Sequence, residues 1–310
     1  MTRILFATDI HGSEYVFRKF LNALQIYKIN VGILLGDLSG KLIIPLIKNE
    51  DNSYTFAFLG EVKRVKEDQL DEIKKKISIT GYYPVEMSKE EFDEISNNPG
   101  LRDKIFIENI KDRLSRWIRL AEERLRGKDI KLFISAGNDD PWEIEEVLDS
   151  SDLIVNAGMK KVEIDEYHEM ITVPHTNPTP WNTPREVSED QLTEIIESLV
   201  KKVNVLERCI FNFHAPPYGT PLDLAPKLSK DLTPSVSEMV HVGSIAVLEA
   251  IKKYQPLLGL HGHIHESKGS VKIGRTLCLN PGSEYGEGIM KGVILDLEKD
   301  KVKNFMFVSG

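Results

Sequence analysis

The stretch "RILFATD", residues 3–9, is an apolar run rich in strand-forming residues that stops at an aspartate. Residues 13–27, "SEYVFRKFLNALQIY", follow with apolar side chains at helical spacing, and "VGILLGD" (31–37) is a second such run that again ends on an acid. Runs that are apolar at nearly every position predict strands covered on both faces. The unit is therefore strand–helix–strand, and open α/β sheets place ligands beyond the carboxyl ends of such strands. The pattern returns in "IKLFISAGND" (130–139), "RCIFNFHAPP" (208–217) and "PLLGLHGH" (256–263). One polar ending would be noise. Five endings built from Asp, Asn or His predict a shared site.

The last ending is the densest. "GLHGHIHES" (259–267) carries His261, His263 and His265, in a chain with eight histidines. On an extended chain, side chains at i and i+2 point the same way, so successive members of the trio are expected to converge on one target. Imidazole is the commonest nitrogen ligand of metals. Read in order, the endings are Asp9-x-His11, Gly36-Asp37, Gly137-Asn138-Asp139, His214 and Gly262-His263-x-His265. Hard oxygen donors mixed with imidazoles, and no thiolate, suit Mn, Fe, Co, Ni or Zn better than Mg or Ca; manganese is placed first. Asp9, His11, Asp37, Asn138, His214, His263 and His265 are too many for one open ion and suit two ions that share a carboxylate. The glycines at 36, 137 and 262 are expected to let the backbone turn tightly.

The order and types of these motifs, from residue 9 to residue 265, resemble the calcineurin-like metallophosphoesterases. That family's pattern is DxH, GD, GN followed by H and D or E, a lone H, then GHxH; "NPGSEY" (280–285) also looks like it. The resemblance implies an α/β/β/α sandwich of two mixed β-sheets. It implies that Asp9, His11, Asp37 and His265 hold one ion, and that Asp37, Asn138, His214 and His263 hold the other, with Asp37 as the bridge. It implies hydrolysis of a phosphoester by a metal-bridging hydroxide, in a site where two ions about 3.5–4 Å apart clamp an in-line displacement.

One position departs from the pattern. After Gly-Asn the family carries a histidine proposed to protonate the leaving group; here Asp139 stands there, followed by Asp140. A carboxyl group near two cations is expected to ionise readily, which makes Asp139 a poor proton donor and favours a diester or nucleotide-like small substrate. Its alternative role is to orient a water or a neighbouring histidine. His241, in "MVHVGS", is the alternative donor, with a helix-cap or structural role as the competing reading. His175, in "TVPHTNPTPWN", and Tyr218, in the proline-stiffened "HAPPYGTPLDLAP", are read with Asn138 as substrate contacts. His261 is expected to support the ligands from behind, and His168 to be an exposed strand residue.

The 310 residues read as a single domain with an insertion at about 41–102, between two ligand-bearing strands. The insertion holds a hairpin, a charged helical run and a Gly/Pro-marked stretch ending at "NNPG", and it is expected either to cap the site or to form a dimer interface. A long amphipathic helix is expected over 103–126, a strand pair over 160–175, helices over 188–203 and 243–254, and a closing hairpin. Hydrophobic content of 41% is ample for a core. The formal charge of −8 and the lack of a basic, aromatic-laced stretch argue against a nucleic-acid surface, which leaves a nuclease as the weaker enzyme reading. A scaffold that keeps the fold without turnover, like the retromer sorting subunit of this superfamily, is a third reading. Loss of the histidine at 139 favours it; retention of seven ligands opposes it. No span approaches the roughly 18 apolar residues of a membrane helix, and "MTRILFATDIHG" lacks a signal-peptide core. Cys209 and Cys278 lie in apolar runs and read as buried free thiols; a cytoplasmic location is the expectation.

Overall fold

A computed structural model describes residues 1–229 and 231–310. The first strand–helix–strand unit is β1 (Thr2–Thr8), α1 (Glu14–Ile26) and β2 (Val31–Leu35), with β1 and β2 parallel. Ser13 starts α1 by accepting from the Val16 amide, as an N-cap residue does. The insertion follows as β3 (Ile43–Lys48), β4 (Tyr54–Phe58), β5 (Glu61–Val65), α2 (Leu70–Ile79), β6 (Tyr83–Met87) and α3 (Lys89–Asn97). The long helix α4 (Pro99–Leu125) leads back to β7 (Lys131–Ile134), α5 (Glu145–Leu148) and β8 (Ile154–Asn156).

The second half runs β9 (Lys161–Glu163), β10 (Glu169–Val173), α6 (Glu189–Val200) and β11 (Cys209–Phe213). It continues with β12 (Leu224–Leu228), β13 (Pro234–His241), α7 (Ile245–Tyr254) and β14 (Leu258–Leu260). Strands β15 (Gly269–Ile273), β16 (Thr276–Asn280), β17 (Lys291–Glu298) and β18 (Lys301–Ser309) complete it.

Two six-stranded sheets result, ordered β18-β17-β1-β2-β7-β8 and β15-β16-β14-β11-β10-β9. Both are mixed. The centres are parallel, and β17, β18, β9 and β15 run antiparallel at the flanks. Alternation along the strands sorts side chains into layers. Ile4, Phe6, Ile33 and Phe133 of the first sheet meet Met170, Ile210, Leu258 and Leu279 of the second. On the outer face of the first sheet, Leu5, Ala7 and Leu34 pack under Phe17, Phe20, Trp117 and Ile118 of α1 and α4. Beyond the second sheet, Phe211 and Phe213 pack under Leu192, Ile196, Val247 and Ile251 of α6 and α7. This is the α/β/β/α sandwich that the motifs implied.

Between β2 and β7 the inserted strands form their own sheet, β5-β4-β3-β6, over a small core of Leu46, Tyr54, Phe56 and Ile77. Its hairpin and α2 are as expected. The Gly/Pro-marked stretch is more ordered than expected: it contains β6 and α3, and Ser88 and Glu91 form a reciprocal capping box on α3. Residues after 214 hold another surprise, because β12 and β13 pair as a hairpin with an irregularity between Pro226 and Leu228, where the missing N–H of proline is tolerated. Cys209 and Cys278 are buried free thiols. Among the described residues, no helix is long and apolar enough to cross a membrane.

Candidate metal centre

All five polar endings lie at the carboxyl ends of parallel strands: β1, β2 and β7 of one sheet, β11 and β14 of the other. Their backbones are strained. Asp9, His11, Asp37 and His263 have φ of 54°, 37°, 50° and 66°, a region that costs a non-glycine residue roughly 1–3 kcal/mol. Neighbouring loops impose it. The Asp9 amide donates to Gly36 O (3.1 Å) and the His11 amide to Asp37 O (2.8 Å). Asp140 is buried and accepts from Leu38 N (2.9 Å), Ser39 N (2.7 Å), Ser39 Oγ (2.6 Å) and Gly137 N (2.8 Å). One carboxylate thereby ties the Asp37 loop to the Asn138 loop.

The glycine expectation needs refining. Gly36 does turn through φ +46°, but at Gly137 and Gly262 the requirement is space: an added Cβ would lie 2.3 Å from Asp37 Oδ1 or 2.5 Å from Asp9 Oδ2. The expectation for the histidine trio is also corrected. Strand β14 ends at Leu260, so strand alternation does not align the trio. His263 reaches its position through a left-handed turn, and its amide donates to Asp9 Oδ2 (3.0 Å). His261 lies behind, with Nδ1 3.0 Å from the carbonyls of both Phe213 and Ala215, which flank His214.

The side chains gather into two groups, Asp9–His11–His265 and Asp37–His214–His263, joined by a third, His11–Asp37–Asp139, and in each the donor atoms lie within 4.8 Å of one another. His11 Nε2 is 3.1 Å from His265 Nε2, and His265 Nε2 is 3.5 Å from Asp9 Oδ1. Asp37 Oδ2 stands 3.3 Å from His214 Nε2 and 3.7 Å from His11 Nε2, so it touches both groups. Asn138 gives its Nδ2 to Thr183 Oγ1 (2.8 Å), while its buried Oδ1 makes no hydrogen bond among the described residues. Neither ring nitrogen of His214 makes one of good geometry, Nε2 having only its ion-pair contacts with Asp37 and Asp9. Buried polar atoms left this way are costly. An amide oxygen and imidazoles gathered with two buried carboxylates fit divalent metal ions.

Electrostatics agree. Burial, the largest influence, pushes Asp9 and Asp37 upward. His214 together with His265 at Asp9, and His214 together with His11 and His263 at Asp37, outweigh it and hold both below the usual carboxylate range. Burial depresses His11 to about 3 and His263 to about 4, leaving the neutral form that binds metals. At His214 burial is overcome by Asp37 and Asp9, which raise it to about 9. Two buried carboxylates thus call for positive charge.

A cavity of about 1060 Å³ opens from this cluster, with His11, Asp37 and His263 at one end and Trp181, Tyr218 and His241 along its wall. Asp139 also lines it, yet burial and Asp37 push its carboxyl up to about 6 against the pull of Lys41; the protein environment alone works against ready ionisation. His241 is neither a helix cap nor buried. It ends β13, 2.7 Å through Nδ1 from the buried Asp223, with a side chain 40% exposed. His175 is absent from the lining and packs against Trp142 instead, with ring centroids 5.9 Å apart. His168 corrects an expectation: it is buried, with Nδ1 2.8 Å from Asp165. Tyr285 of "NPGSEY" lies against His11, centroids 4.6 Å apart, and Ser283 Oγ donates to Asp9 O (2.7 Å).

Sequence reasoning missed Lys41, Thr183 and the tying role of Asp140. Asp140 was legible as an acid beside a ligand loop. Lys41 and Thr183 carry no signal, because a lysine or threonine in a polar loop looks like any other.

No family model matches this chain. The protein MJ1162 of Methanocaldococcus jannaschii, itself uncharacterised, is 34% identical over 147 residues, covering 47% of this chain. The match spans 61% of that relative's length. One solved structure superposes with a TM-score of 0.58 at 18% identity, over 97% of both chains. The protein TT1561 of Thermus thermophilus superposes at 0.55 with 14% identity, over 100% of this chain and 98% of its own. At these identities the likeness is one of fold. That shared fold is the sandwich of two mixed sheets between helical layers, with the five polar strand endings gathered at one edge.

Proposed function

We propose that this protein is a metal-dependent phosphoester hydrolase with a dinuclear centre, acting on a phosphodiester or nucleotide-like small molecule. The observation that carries the reading is the position of Asp37, in contact distance of both His214 and His11. Asp9, His11, Asp37 and His265 would hold one ion, and Asp37, Asn138, His214 and His263 the other. Divalent ions bound there would neutralise phosphoryl oxygens and acidify a water. Thr183 keeps the Asn138 amide turned so that its oxygen is the free atom. Trp181 and Tyr218, 59% and 42% exposed, offer apolar surface to the non-phosphate part of a substrate.

Asp139 in the family's histidine position supports the diester preference, because a diester with a good leaving group needs less help from an acid. His241 is the residue assigned to that help. Asp223 accepts from the amides of Gly219, Thr220 and Gly243 (3.0 Å each) and engages His241 Nδ1. That leaves Nε2 as the nitrogen able to carry a proton at the cavity wall.

The test is hydrolysis of a chromogenic phosphodiester and its monoester analogue by metal-stripped protein given Mn, Ni, Co, Zn or Mg in turn. Turnover restored by metal, faster on the diester and absent in Asp37→Ala, is the expected result. Two tightly bound ions with no turnover of either ester would overturn the enzyme reading.

A further inference from the structure

We propose that Lys41 is the cation that binds the phosphoryl group of the substrate, in a site that lacks the family's histidine, and that the inserted β3–β6 sheet is the brace that holds it there. This rests on the phosphoester reading above. Lys41 Nζ lies 3.1 Å from Asp139 Oδ2. The same carboxylate oxygen is 3.8 Å from His11 Nδ1, and the Asp139 amide donates to Asp37 Oδ1 (3.0 Å). The ammonium therefore stands one side chain away from the carboxylate shared by both ligand groups, and it lines the cavity beside His11, Asp37 and Asn138. Lys227 also lines the cavity, but its partner Glu238 (2.7 Å) lies on the β12–β13 hairpin, whereas the partner of Lys41 stands beside His11 and Asp37. Lys41 is the lysine placed at the chemical end.

A flexible lysine on a loop binds weakly unless the loop is fixed. Here the insertion fixes it. The Gly40 amide donates to Tyr83 Oη (2.8 Å), and the backbones approach so closely that a Cβ on Gly40 would lie 1.9 Å from Gly81 O. Arg113, on α4, is buried and locks the same junction. It donates to Gly12 O (2.6 Å) and Tyr82 O (2.9 Å), with its guanidinium 4.1 Å from the Tyr83 ring centroid. The loops that carry His11 and Lys41 are thus clamped together by residues 81–83. Among the described residues, none between 42 and 105 lines the cavity, so the sheet supports the site from behind and does not cover it.

Lys41 keeps its proton throughout. As the new bond to phosphorus forms and the bond to the leaving oxygen breaks, that oxygen takes the electron pair. The attacking water gives one proton to solvent and the leaving oxygen takes one back. The ammonium offsets charge on the phosphoryl oxygens, where charge-assisted pairing is strong.

The experiment compares Mn-loaded wild type, Lys41→Met, Lys41→Arg, Tyr83→Phe and the Lys41→Met/Tyr83→Phe double variant. It measures Mn bound per chain, the affinity for inorganic phosphate by calorimetry, and kcat and KM. All should bind Mn as wild type does. Lys41→Met should weaken phosphate binding and kcat/KM by roughly 10- to 100-fold, the range for a hydrogen bond to a charged group, and arginine should recover part of it. Tyr83→Phe should weaken both by about threefold alone and add nothing to Lys41→Met, as coupled residues do. Phosphate binding and kcat/KM unchanged in Lys41→Met would overturn the assignment, and a full additive effect of Tyr83→Phe would overturn the brace. If Mn-loaded wild type neither binds phosphate nor turns over, the phosphoester reading itself fails and takes this proposal with it.

Discussion

Asp37 sits at φ 50° with its carboxylate between two imidazoles, a conformation that asparagine and aspartate tolerate better than other side chains. That tolerance explains why a Gly-Asp pair ends β2. Gly36 turns, Asp37 continues the left-handed path, and the carboxylate swings into the space left by Gly137. At this scale the sequence was informative where the residue type itself is chemically rare. Histidines, and acids directly after apolar strands, stand out; Lys41, Thr183 and Asp223 do not, because their roles come from neighbours far away in the chain. His175 shows the opposite failure, a histidine that stood out and is held by packing. Burial, then Arg185, depresses it to about 4 from the ordinary 6.5. Between those values the unfolded chain binds the proton and the folded one resists it, so stability contributed above pH 6.5 is lost as pH falls toward 4. His175→Gln cannot take up that proton. Urea unfolding at about pH 7.5 and about pH 4.5 should show wild type losing roughly 2 kcal/mol more than the variant. Equal losses would mean that burial of His175 does not drive this slope.

Among the elements, long periodic ones and the hairpins with a marked turn were legible, whereas the short β14 and the β12–β13 pair were not. Helix α4 and the strands β1, β2, β10 and β11 announce themselves through spacing or unbroken apolar runs. The hairpin β12–β13 does not, since its residues alternate poorly and carry prolines. Strand β14, at three residues, is too short to set the directions of the histidines that follow it. Loops before helices also hide contacts to the candidate site: Thr183 precedes α6, and its hydroxyl both receives the Asn138 amide and donates to Glu186 Oε1 (2.7 Å). Groups that orient metal ligands typically change affinity by roughly 10- to 100-fold when removed. Thr183→Val should therefore weaken Mn binding by about tenfold, while Thr183→Ser, which keeps the hydroxyl, should bind as wild type. Titration of metal-stripped protein measures both. Equal Mn affinity in the valine variant would remove Asn138 from the ligand set or Thr183 from its support.

At the scale of the whole molecule, the candidate ligands divide between the sheets. Asp9, His11, Asp37 and Asn138 follow strands of the first, and His214, His263 and His265 follow strands of the second. Each proposed ion would draw ligands from both, so metal would cross-link two layers that otherwise meet through the apolar seam around Phe6, Ile33 and Leu258. This arrangement was readable from the strand endings because every candidate ligand follows the end of a strand. The seat of the inserted sheet was not, since close glycine contacts leave no periodic trace. The cross-link has a thermodynamic consequence. A ligand that binds only the folded state at about a hundred times its Kd stabilises by about 2.7 kcal/mol. At about 2 °C per kcal/mol for a chain larger than roughly 250 residues, saturating Mn should raise the Tm of metal-stripped protein by roughly 5 °C. Asp37→Asn, which keeps the left-handed backbone acceptable but removes the shared charge, should lose most of that shift. Hydrogen exchange should slow on Mn binding at the ends of β1 and β2 and equally at the ends of β11 and β14. Protection confined to one sheet would place the metal within that layer and remove the cross-link.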